Sequence, residues 1–265
     1  VRFLSIRLAV AFAIALAFSA PALAQDDDPA VLNLAEPDFS LISLPTTLRV
    51  PTMKSAFRVT HRFGRSLGEG DFGDLAGDLF GLDSGAVIGL EYRFGIIPNG
   101  QIGLHRSSLD KTFSFFADYS LMRQPAAPVN IAVHLSIDGK DNFQESYSPA
   151  VGAIISRQMT DVGAVYVSPV WVNNSNELPS ELVDDNDTVV IGLGARIRIR
   201  PTVYIVGELV PRITGYDPGV NHGSFALEKR VGGHLFQLNF SNSFATTMGQ
   251  IARGGFTNDD WYLGF

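Results

Sequence analysis

The sequence predicts an all-β fold: a closed antiparallel transmembrane β-barrel of about 12 strands, with short periplasmic turns and long outer loops. Three observations carry this reading. From about residue 55 apolar and polar residues alternate with period two, as in a sheet with one apolar and one polar face. The connections between the alternating segments are long and short in turn. Beyond the first 24 residues no run reaches the ~20 consecutive apolar residues of a spanning helix. A mature chain that crosses a membrane must then do so as a barrel, which satisfies every backbone group without water.

Residues 1–24 have the layout of a signal peptide. Arg2 and Arg7 give the positive start, Leu8 to Phe18 the apolar stretch, and Ala22-Leu23-Ala24 the small-residue cleavage site. Cleavage after Ala24 is expected, with export to an outer membrane. A membrane-anchoring helix is disfavoured by the short apolar run and by Pro21 at its end. Residues 25–54 read as an extended N-terminal tail, with Asp26-Asp27-Asp28 and Pro29, Pro37 and Pro45 breaking any period. The barrel occupies 55–265, with strands expected near 55–65, 84–95, 100–107, 111–121, 129–138, 148–158, 163–172, 187–200, 202–211, 223–230, 234–245 and 259–265. Most reach the ~9–11 residues of a tilted spanning strand. Connections at 66–83, 139–147, 173–186, 212–222 and 246–258 are long and read as outer loops, with a short exception at Ser108 to Asp110. Those at Ile97–Gly100, Arg123–Pro128, Met159–Val162, Arg200-Pro201 and Val231–Gly233 are short and read as periplasmic turns. Trp261, Leu263 and Phe265 share one face of the last strand, whose shortness suggests a few further residues beyond Phe265.

Composition narrows the function. The chain has 46% hydrophobic and only 18% charged residues, with 26 glycines that suit twisting strands. Its net charge of −7 becomes more negative once Arg2 and Arg7 are removed, which argues against nucleic acid as a partner. The absence of cysteine excludes disulfides, thiolate metal sites and cysteine nucleophiles.

Several stretches resemble an uncharacterised bacterial outer-membrane β-barrel family, the domain-of-unknown-function 5777 group. They are Val59-Thr-His-Arg-Phe-Gly64, Phe80 to Gly95, Ser108-Leu-Asp-Lys111, Ile191 to Tyr204, Gly215-Tyr-Asp-Pro-Gly219 and Gln237 to Phe244. The resemblance runs from about residue 40 onward and implies a membrane β-barrel. It implies no catalytic residue.

The polar faces of the strands are expected to line the lumen with Arg58, Arg62, Arg93, Arg196, Arg198 and Arg230, and with Glu91, Asp118, Asp138, Glu208 and Glu228. Arg196 and Arg198 are expected beside Glu208, and Arg58 and Arg62 beside Glu91. The near balance of sign fits a lattice of ion pairs filling the barrel better than a selectivity filter, which carries an excess of one sign. Three His-x-Ser pairs, His105/Ser107, His134/Ser136 and His222/Ser224, place a histidine and a serine on one strand face, the second extended by Asp138. Because Val133, Leu135 and Ile137 face lipid in this reading, His134 and Ser136 face the lumen, away from a membrane substrate. Hydrogen bonding inside the barrel explains them better than catalysis. The acidic groups Asp71, Asp74, Asp78 and Asp83, and Asp184, Asp185 and Asp187, lack calcium-loop spacing and read as solvated loop charge. No catalytic, cofactor or metal site is expected.

The functional expectation is a narrow channel or transporter for small solutes in contact with outer-membrane lipid and lipopolysaccharide. The alternatives are a filled structural or surface-interaction barrel and, third, a lipid-modifying barrel enzyme. A soluble exported β-sandwich is the competing fold.

Overall fold

The computed structural model describes residues 34–176, 178, 182 and 185–265. The expected signal peptide and residues 25–33 lie outside the described residues. The strands are β1 (Ser55–Ser66), β2 (Ala86–Ile97), β3 (Gly100–Ser107), β4 (Phe113–Met122), β5 (Asn130–Gly139), β6 (Glu145–Met159), β7 (Gly163–Val172), β8 (Thr188–Arg200), β9 (Val203–Val210), β10 (Arg212–Gly215), β11 (His222–Val231), β12 (His234–Ser241) and β13 (Tyr262–Gly264). Each of β1 to β8 pairs antiparallel with the next, β8 with β9, β9 with β11, β11 with β12, β12 with β13, and β13 with β1. Twelve strands therefore close the ring. The short β10 extends the wall past Pro211 and pairs with the first residues of β8.

The period-two pattern dictates which face points out. Leu90, Tyr92, Leu193, Ile197, Ile205 and Leu227 all stay at least 40% exposed on the outer surface, while their neighbours Glu91, Arg93, Arg196 and Glu228 are buried. An apolar outside around a polar inside is the arrangement that lipid requires. The short connections lie at one end of the barrel, the turn end. The long ones lie at the other, the loop end, where Asp71 caps the helix Phe72–Gly77 and Arg65 reaches Asp78 at 2.5 Å.

The inside is filled from both ends. The segment read as a tail enters through the turn end, and its residues Leu41, Ile42, Leu44 and Val50 are buried within the barrel. Residues 34–50 are the irregular chain expected of the tail, but they lie inside the barrel; Pro51 to Lys54 are exposed. With no period to follow, the segment gave no sign of its burial. From the loop end, the chain after β12 also turns inward. β12 stops at Ser241, not at 245, because Asn242 bonds the chain beside it: its Oδ1 accepts from Gly223 N at 2.9 Å and its Nδ2 donates to Asn221 O at 2.8 Å. The helix Met248–Ala252 is then wholly buried, so the first part of the expected outer loop 246–258 is a second filling segment, while its residues 256–258 are exposed. The two segments meet where Ser43 Oγ donates to Ala245 O at 3.1 Å.

The seam between first and last strands is short. Gly264 pairs with Arg62 on one side and Asn239 on the other. Phe265 and His61 then exchange both backbone hydrogen bonds, at 2.8 and 2.9 Å, and their rings stack with centroids 5.0 Å apart.

Candidate functional site: the plugged lumen

The inward positions of the strands gather the charged residues into three clusters around the N-terminal segment. In the first, Glu91 and Arg93, two residues apart on β2, share one face and pair at 2.6 Å. Asp118 of β4 lies 4.0 Å from Arg93, accepts from Gln101 at 2.8 Å, and bonds His134 Nδ1 of β5 at 2.7 Å. His105 approaches Glu91 at 3.5 Å and Thr246 of the inward loop at 3.0 Å. A cavity of about 40 Å³ lies among Ser43, Glu91, His105, His134, Ser136 and Thr247. It has room for only a few waters.

In the second cluster Arg196 of β8 grips Glu228 of β11 through Nε at 2.8 Å and through a terminal nitrogen at 2.9 Å, both side chains wholly buried. Gln237 of β12 adds a third bond to the same carboxylate at 2.8 Å. In the third, Glu208 of β9 meets His222 Nε2 at 3.3 Å and accepts the backbone N–H groups of Ile42, Ser43 and Leu44 at 2.9–3.2 Å. Three successive amides converging on one carboxylate make a backbone nest around a fixed anion.

The pairing expected for Glu208 is thereby corrected. Arg196 bonds Glu228, and Arg198 points to the turn end, where it meets Asp161 at 2.6 Å. The reason lies in register and competition: Glu208 stands opposite Gly194 and is taken by the amides of Ile42–Leu44 and by His222, while Glu228 lies on β11, one strand beyond β9. Arg58 stands opposite Glu91 in register but donates to Ile42 O at 2.5 Å, and Arg62 donates to Ser243 O at 2.7 Å and Ser43 Oγ at 3.0 Å. Asp138 accepts from Thr247 Oγ1 and from Gly249 N at 2.9 Å, anchoring the inward loop. Arg58, Arg198 and Arg230 are half-buried, and the remaining expected lumen residues are buried.

Of the three His-x-Ser pairs, only His222 and Ser224 touch, at 3.3 Å. His134 turns to Asp118, and Asp138 to the loop, so the extended trio is not assembled. Among the described residues no group of three or more His, Asp or Glu side chains has metal-binding geometry. Asp71 and Asp74 form a capping box, Asp187 accepts from Asn173, and Asp184 lies outside the described residues.

The wall residues that reasoning from charge missed are neutral: Gln101, Gln237, and the glycines Gly192 and Gly194. The last two clear space for the segment. A Cβ at Gly194 would stand 2.2 Å from Leu41 Cδ1, and one at Gly192 2.9 Å from Leu44. The signal was available in the inward parity of these positions, though not in what they face.

A family model described as "Membrane bound beta barrel domain (DUF5777)" matches residues 38–265, so the match includes most of the filling segment as well as the wall. No curated protein and no solved structure matches the chain.

Proposed function

Since the chain belongs to the DUF5777 family of membrane-bound β-barrel domains, we propose that it is an outer-membrane barrel whose passage for small solutes is closed at rest by its own N-terminal segment. The carrying observation is the Glu208 carboxylate holding three successive amides of Ile42–Leu44. A wall that grips a separate stretch of backbone through polar groups can release it when water takes over those bonds. In this reading the turn end faces the periplasm and the loop end the outer surface. The outer wall contacts lipid, and the loops contact lipopolysaccharide. No catalysis is part of the proposal.

The second reading, a permanently filled structural barrel, is favoured by one observation: the inward loop fills the other half of the lumen through Asp138. A disulfide lock separates the two. The chain has no cysteine, so Leu41→Cys with Gly194→Cys introduces a single pair. A Cβ at 194 lies 3.7 Å from Leu41 Cγ, within bridging reach. In planar bilayers, Glu208→Gln in this background should conduct when reduced and fall silent when oxidised. Silence in both states decides for the filled barrel.

A further inference from the structure

We infer that the lumen wall is a receptor for peptide backbone, and that the solute class it accepts, once the N-terminal segment leaves, is a short neutral peptide bearing leucine and serine. The inference rests on the gated reading above.

The wall reads main-chain atoms in sequence. Arg93 of β2 donates to Phe39 O at 3.4 Å, Arg196 of β8 to Ser40 O at 2.7 Å, Gln237 of β12 to Leu41 O at 2.9 Å, and Arg58 of β1 to Ile42 O at 2.5 Å. Four successive carbonyls thus meet donors from four different strands. The next amides, those of Ile42, Ser43 and Leu44, all meet Glu208. Leu41 N donates to Leu44 O at 2.8 Å and Thr46 N to Phe39 O at 3.0 Å, so the ligand-like unit is a compact turn of residues 39–46.

Side-chain readout is sparse and mostly uncharged. Leu41 and Leu44 sit over Gly194 and Gly192, while Ser40 and Ser43 accept from Arg93 at 2.9 Å and Arg62 at 3.0 Å. Carboxylates that accept amide N–H and guanidiniums that donate to carbonyls recognise what every peptide carries. A sugar offers hydroxyls and no such alternation of fixed donors and acceptors. A free amino acid offers no internal amide for Glu208 to bind. Peptide turns with small polar and leucine side chains match both the polar positions and the glycine recesses.

The test uses the full chain, folded in lipid vesicles with a specific protease site inserted between Met53 and Lys54, where the chain is exposed. After cutting, the segment is held without a covalent link, by the contacts above and by those of its flanks: Gln158 Nε2 to Glu36 at 3.0 Å, Val50 N to Gln101 Oε1 at 2.9 Å and Met53 N to Gly95 O at 2.8 Å. The probe is a fluorescent synthetic peptide with the sequence of residues 39–46 and blocked ends, and conductance is recorded in parallel. The inference expects saturable uptake of the peptide and closure of the current that cutting opens. A peptide N-methylated at the amides of Ile42, Ser43 and Leu44 should bind about 10- to 100-fold more weakly, the loss expected for charge-assisted hydrogen bonds. Glu208→Gln should weaken the unmodified peptide by a similar factor. Should that variant not fold, the N-methylated peptide on the parent barrel gives the answer alone. Equal binding of the two peptides overturns the inference. Current that opens on cutting but is not closed by peptide also overturns it and leaves the gate standing. No current and no uptake overturns both.

Discussion

Replacing Glu228 by glutamine tests how dry the filled lumen is. The carboxylate accepts two bonds from Arg196, at 2.8 and 2.9 Å, and one from Gln237 at 2.8 Å, with neither charged side chain exposed. Glutamine keeps the shape but has one acceptor oxygen. At least one of the three donors must then face an NH2 group, and Arg196 is left a buried cation whose acceptors here, the glutamine oxygen and Ser40 O, are neutral. Breaking one side of a buried pair costs about 3–5 kcal/mol, mostly from the orphaned charge. The rim pair Arg198–Asp161 is the internal control. It is just as short, at 2.6 Å, but its side chains are 20% and 58% exposed, so Asp161→Asn should cost about 0–1 kcal/mol. Urea unfolding in lipid vesicles, followed by the gel shift of the folded form, measures both. Replacing Arg196 and Glu228 together by methionine should recover most of the loss. Raising salt should shrink the small effect at Asp161 and leave that at Glu228 unchanged. Equal, small costs for both single variants would refute the reasoning and mean that water reaches Arg196.

Three further outcomes are expected. Leu193→Arg puts a charge on the outer face and should destabilise the barrel by about 2–4 kcal/mol if that position lies near the bilayer midplane, read by the same urea titration; a neutral result would shift the strand register by one residue. Gly194→Leu should drive Leu41 from its recess at about 1–3 kcal/mol and expose residues 39–50 to protease, whereas Gly207→Ala, with nothing within 4 Å, should change neither. In the loop that follows β1, the Arg65 hydrogen bond holds the Asp78 carboxyl below its ordinary value. Its contribution to loop order is therefore full above the ordinary carboxylate range and is lost as pH falls through the lowered value. Limited proteolysis of residues 66–85 across acid pH should show this loss, and Asp78→Asn should abolish the pH dependence.

The wall was legible because a strand has to repeat one decision, in or out, at every residue. Leu90, Glu91, Tyr92 and Arg93 display that decision without reference to anything distant. The filling was not legible, because its determinants are backbone groups and far partners. Leu41, Ile42 and Leu44 look like an apolar patch in a proline-broken tail until Glu208, some 165 residues on, takes the amides of Ile42, Ser43 and Leu44. The inward loop was hidden for a related reason. Phe244 keeps the parity of β12, so nothing in the pattern marks Ser241 as the end; the stop comes from side-chain bonds of Asn242 to β11 and the residue before it. Parity placed the charged lumen residues on the correct side of the wall, yet it could not choose among partners across an interior, and Arg196 found Glu228 in place of Glu208.

The three-residue seam at β13 has a consequence for the order of assembly. Neighbouring strands from β2 to β9 can pair as local hairpins and meanders, whereas Arg62 must find Gly264 across some 200 residues, with few hydrogen bonds to offset that large loop. Ring closure is thus expected to come last, and the N-terminal segment, whose contacts span β1, β2, β8, β9 and β12, can be enclosed by the curling sheet without being threaded into a finished cylinder. In a Trp171→Phe variant, Trp261 beside Phe225 reports the seam alone, and its fluorescence change should lag the acquisition of β-structure; simultaneous changes would count against a late closure. A late seam makes the interior content a product of the folding route, captured at the moment the wall shuts.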